Sequence, residues 1–166
     1  MLNKLMSLIN GLEERDSNIG LNENDINDLG FILIRNNEIL SYYGMAISGA
    51  FMANKEVVGK NNIPMIIVDE TFYELSDNCK VFIIGHELGH FMSNHEQQTE
   101  GYVRKIDDEF EADEYGVKLV GKQSAVFAME EMEDKLIELY DDLCQSAIDE
   151  LEVRINKLLG KEMVTC

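Results

Sequence analysis

The chain has 166 residues, with 14 Lys+Arg against 32 Asp+Glu, for a formal net charge of −18 at pH 7. That length suits one domain with a single hydrophobic core, and a hydrophobic content of 45% marks a globular chain rather than a disordered acidic tail. So negative a chain excludes general nucleic-acid binding, which needs Lys and Arg against phosphate. It also disfavours anionic lipid surfaces, and no apolar run approaches the roughly 18 residues of a membrane span.

The first residues carry no signal-peptide cleavage site. The three cysteines, Cys79, Cys144 and Cys166, are too few and too scattered for a disulfide framework. A cytoplasmic location is the expectation. Leu2, Leu5, Met6, Ile9 and Leu12 predict an amphipathic helix over 2–14. Residues 17–28, rich in Asn, Asp and Gly, begin as a loop. Phe31–Ile34 and Ile39–Tyr43 read as strands, although Ile26, Leu29, Leu33 and Ile34 also fit a helical stripe.

Pro64–Phe72 reads as a strand, and its leading proline suits a sheet edge, where an extended peptide substrate could pair. Asp77 or Asn78 caps a helix from about residue 80 to 94, and a second helix covers 103–120 and stops near Gly121. A long helix follows over 124–159. Its stripe (Met129, Met132, Leu136, Leu139, Leu143, Ala147, Leu151, Ile155, Leu158) needs the core or a second copy of the chain against it, so a homodimer through this helix is one expectation.

The chemistry concentrates in His86-Glu87-Leu88-Gly89-His90. Two histidines four residues apart share one helical face, where both imidazoles can ligate one Zn²⁺ with Glu87 beside them as general base. A hydrolytic site takes three protein ligands and leaves a position open. A third histidine at position 96 would make the metzincin pattern, but Ser93 and Glu96 stand where that pattern has Gly and His. His95 falls one residue short, and a helix reaching it would turn it away. Downstream, Glu109 and Asp113 share a face at i, i+4. Glu109 suits a ligand and Asp113 an acceptor that orients a ligand histidine, while Glu111 points to solvent and small Ala112 permits close helix packing. Gly85 and Gly89 cost helix propensity, which packing against a strand or substrate would explain. Cys79 could in principle mask the metal as a thiolate, but a buried, inert thiol is the plainer reading.

His86-Glu-x-x-His90 followed by Glu109-Phe-Glu-Ala-Asp113 resembles the gluzincin zinc metallopeptidases. It looks most like the family of the CAAX prenyl endopeptidases and the HtpX heat-shock protease, whose pattern often has a further histidine where His95 stands. The resemblance covers roughly residues 64–120. It implies His86, His90 and Glu109 as ligands of one Zn²⁺ per chain, Glu87 as catalytic base and Asp113 as the histidine-orienting residue. The compact spacing is similar to the minigluzincins. It is also similar to the ImmA/IrrE metallopeptidases that act on repressors, which usually carry Glu-x-x-Ala-Asn where this chain has Glu-x-x-x-Asp. The fold so implied is α+β and zincin-like: a small mixed sheet, the His-Glu-x-x-His helix, a Glu-ligand helix and a long C-terminal amphipathic helix. One metallopeptidase domain, 1–166, would comprise an N-terminal helix (1–20), a catalytic core (21–121) and the long helix (122–160). Tyr102, Arg104 and Tyr115 are chemically able to donate to an oxyanion. The expected substrate is a neutral or basic peptide or protein, with no nucleic acid and no membrane span. A zinc-stabilised module that cleaves nothing is the alternative from another class, and intact Glu87 speaks against it.

Overall fold

The computed structural model describes residues 2–13, 31–35, 50–53, 65–93, 95, 105–140 and 145–161. The expected strand over Ile39–Tyr43, Pro64, Tyr102, Arg104, Cys144 and Cys166 lie outside these. The chain divides into two compact units, residues 1–77 and 78–166.

In the first unit, helix α1 (Leu2–Glu13) buries Leu5 and Ile9, one helical turn apart, and contacts strand β1 (Ile32–Arg35). Strands β2 (Ala50–Ala53) and β3 (Met65–Val68) complete three strands in the order β1-β3-β2. β1 runs parallel to β3, from Ile32 opposite Met65 to Arg35 opposite Val68, and β2 runs antiparallel to it, from Ala50 opposite Val68 to Ala53 opposite Met65. The strand expected to offer an edge is therefore flanked on both sides. Its run Ile66-Ile67-Val68 is buried at every residue, the pattern of an interior strand rather than an alternating edge. β3 also stops at Val68, well before Phe72, because Asp69 caps a short helix α2 (Glu70–Glu74). Asp69 Oδ1 accepts from the Phe72 amide at 3.3 Å and from the Thr71 hydroxyl at 2.6 Å.

The described residues of the second unit form helices only: α3 (Asp77–Met92), α4 (Ile106–Val120), α5 (Lys122–Tyr140) and α6 (Gln145–Leu159). Three acids, Asp107, Asp108 and Glu109, occupy the first turn of α4, where they complement the helix dipole. α4 ends at Gly121, whose φ of 86° falls in the region that favours glycine, and α5 starts at once. α4, α5 and α6 contact one another.

Two expectations are thereby corrected. The α+β, zincin-like class built on a small mixed sheet does not hold: the described residues are predominantly helical, and the strands are three pieces of four residues confined to the first unit. The long C-terminal helix over 124–159 is instead α5 and α6, two helices packed on each other. Folding the stripe back gives it its own partner, and Met129, Leu136, Leu151 and Ile155 are buried within the chain.

Candidate metal centre

α3 carries two small residues on the face that meets α4. A Cβ on Gly85 would lie 2.8 Å from the Gly116 Cα, and one on Gly89 would lie 2.7 Å from the Ala112 carbonyl oxygen. On the other side of the seam, a Cβ on Gly116 would fall 2.5 Å from the Phe82 ring. These glycines let the two backbones touch. Neither a strand nor a substrate accounts for the two on α3, as the sequence had suggested; α4 does. Close approach then lets a carboxylate on α4, with its short side chain, meet the histidines on α3.

His86, His90 and Glu109 converge. The two Nε2 atoms are 3.0 Å apart, and Glu109 places Oε2 3.3 Å from His86 Nε2 and Oε1 3.5 Å from His90 Nε2. Ligands at roughly 2.0–2.1 Å from a tetrahedral zinc stand about 3.3–3.4 Å from one another, so the three distances bracket a zinc coordination edge. All three residues are buried, and among the described residues they form the one group of clustered ligand atoms able to hold a metal ion.

The hydrogen-bond network assigns the protons. His86 Nδ1 lies 2.8 Å from Asp113 Oδ1. An ionised carboxylate only accepts, so Nδ1 carries a hydrogen, and Nε2 faces inward. Arg154 Nη2, 3.3 Å from the same Nδ1, donates to the shared Oδ1 at 2.6 Å; the two nitrogens are neighbouring donors, not partners. On the other ring, His90 Nδ1 lies 2.8 Å from His95 Nδ1, and His95 Nε2 lies 3.4 Å from Glu111 Oε2. Glu111 must accept, so His95 Nε2 donates, His95 Nδ1 accepts, and His90 Nδ1 is the donor. Both histidines therefore commit Nδ1 to an outward bond and turn Nε2, the nitrogen left for a metal, towards Glu109. That is the arrangement in which an outer partner fixes tautomer and ring orientation for a metal.

His95 reaches this place because α3 ends first. The helix stops at Met92, and the His95 amide bonds back to the His90 carbonyl at 3.0 Å, returning its ring to His90. The expectation of a helix carrying His95 away is corrected. Glu111 is exposed, as the spacing suggested, and it also accepts from Ser93 Oγ (2.8 Å) and His95. Asp113 stands where the i, i+4 spacing puts it. Arg154 was not foreseen. Buried on α6, it grips Asp113 with Nε at 2.9 Å and Nη2 at 2.6 Å, and Nη1 lies 3.6 Å from Glu109 Oε2. Its signal in the sequence is a cation inside an apolar stripe, between Leu151 and Leu158.

Charge balance follows. For His86, burial and the Arg154 charge push the pKa down, but hydrogen bonds to Asp113 and Glu109 outweigh them and raise it to about 9. Burial pushes the Glu109 and Asp113 carboxyls up, yet their bonds and the neighbouring charges of His86 and Arg154 hold both below the usual carboxylate range. Glu87 is buried on α3 between the two histidines. Tyr115 lies at the α3–α4 crossing, its ring beside Gly89 and beneath the Lys118 ammonium at 4.4 Å. The buried Cys79 thiol donates to the Ala128 carbonyl, and burial and Glu131 push its pKa up, away from thiolate chemistry.

No protein-family model matches the chain, and neither a curated protein nor a solved structure matches it. The buried His86–His90–Glu109 group can hold a metal ion. Among the described residues, no helix is long and apolar enough to cross a membrane.

Proposed function

We propose that the chain is a zinc-dependent metalloendopeptidase of cytoplasmic location. The observation that carries this reading is the pair of inward-turned Nε2 atoms facing Glu109, each ring held at Nδ1 from outside, with Glu87 on the same helix. Two imidazoles and one carboxylate suit zinc better than magnesium or calcium, which prefer oxygen donors. The resemblance of His86-Glu-x-x-His90 and Glu109-x-x-x-Asp113 to the gluzincins supports the same reading. Among the described residues the group has three ligands rather than four, which favours a catalytic over a purely structural site.

His86, His90 and Glu109 would hold the ion. When bound, zinc supplies Lewis acidity, lowering the pKa of a water towards about 7 and polarising an amide carbonyl. Glu87 takes the proton of the attacking water and returns it to the leaving amine. Asp113 and His95 keep the two imidazoles in the tautomer and orientation that this needs. The net charge favours neutral or basic peptides over acidic ones.

The test is Glu87→Gln. The variant should keep about one equivalent of zinc per chain while its cleavage of a mixed peptide library falls by roughly 10²-fold or more. Equal cleavage by variant and wild type would remove Glu87 as the base. A wild-type protein that binds zinc and cleaves nothing would leave a non-catalytic metal module.

A further inference from the structure

A buried guanidinium is costly unless its charge is matched and its donors used. Among the described residues Arg154 meets that condition at the metal centre: both its donors to Asp113 are short, and Nη1 lies 3.6 Å from both Glu109 Oε2 and Glu150 Oε1. The Asp113 oxygen that takes the 2.6 Å bond from Arg154 also receives His86 Nδ1 at 2.8 Å. Asp113 is 2% exposed, and the guanidinium fixes the orientation of both its oxygens while one of them holds the His86 ring. Guanidinium is the group suited to the task, because its fixed fork meets both carboxylate oxygens at once. Repulsion between Arg154 and a bound cation would oppose this, and the Asp113 and Glu109 carboxylates, 2.6 and 3.6 Å from the guanidinium, offset it.

We propose that Arg154 is a positioning residue of the metal centre, and that through the chain Arg154–Asp113–His86 the docking of α6 and the binding of metal are coupled. The inference rests on the metal-binding reading and not on peptidase activity. Among the described residues α6 supplies this cation, so metal retention depends on a helix whose Arg154 is 68 residues from His86. Coupling is reciprocal: whatever α6 docking does for the metal, the metal does for α6.

Two measurements decide it. In competition with a chromophoric chelator, Arg154→Met should bind zinc about 10–100-fold more weakly than wild type, the usual cost of losing an outer partner of a ligand histidine. Arg154→Lys, which retains the charge and one bond, should fall between. The Co²⁺-substituted Met variant should show shifted visible bands. In the native chain, zinc should slow amide exchange across α6 by about tenfold or more relative to the chelated protein. The exchange measurement stands whether or not the Met variant folds. Wild-type affinity in a folded Arg154→Met, or α6 exchange indifferent to zinc, would overturn the proposal and leave the metal centre intact. A wild-type chain that takes up no zinc would overturn both.

Discussion

A histidine ligates through a bare nitrogen, so the decisive residues here include those that take the proton at the other one. Asp113 does this for His86, and His95 for His90. Replacing Asp113 by Asn leaves an oxygen that can accept but removes the charge, and also strips Arg154 of its partner. Zinc affinity of Asp113→Asn should drop by about 10–100-fold, measured by chelator competition, with Glu109→Gln as a benchmark for loss of a direct ligand. An unchanged affinity would mean that Asp113 serves only packing. The ligands and Asp113 were legible because i, i+4 spacing is a local property of a helix. His95 was not, since its position depends on how α3 terminates, and Arg154 was not, since 41 residues separate it from Asp113.

At the scale of elements, the glycine seam sets the separation of α3 and α4 and thus the reach of Glu109. Gly89→Ala gains about 1 kcal/mol of helix propensity. Against that, its Cβ would lie 2.7 Å from a backbone carbonyl, which has no rotamer to yield, and overpacking of this kind costs about 1–3 kcal/mol. Gly89→Ala should therefore be net destabilising and weaken zinc binding. Gly11→Ala in α1, with nothing within 4 Å of the new Cβ, should stabilise by up to about 1 kcal/mol in urea melts. The reverse order would refute the seam. Small Ala112 and the two glycines of α3 each gave a readable hint of close packing, but not that they pack on one another. Strand limits and the division of 124–159 into two helices were illegible for a related reason: a cap such as Asp69, or the packing of one part of an apolar stripe on another, leaves hydrophobic periodicity almost unchanged.

For the whole molecule, the same cluster makes stability without metal depend on pH in two directions. His86 has a folded pKa raised from 6.5 to about 9, so its contribution is complete below 6.5 and disappears as pH rises through 9. Glu109 and Asp113 are shifted down, so theirs is complete above their ordinary values of 4.5 and 3.8 and disappears in acid. Chelated protein should be most stable between about pH 4.5 and 6.5 and lose on the order of 3 kcal/mol by pH 9, read from urea midpoints at fixed salt. A flat profile above pH 6.5 would show that His86 is not held as a cation. The 3.0 Å approach of the two Nε2 atoms gives the reason in another form. Two lone pairs so close repel unless something positive lies between them, and the raised pKa of His86 puts a proton there. If the site takes a dication, as proposed, uptake at neutral pH is an ion exchange, one proton out for one dication in. The site would then gain one unit of positive charge rather than two, and acid and metal would compete for one place in a strongly anionic protein.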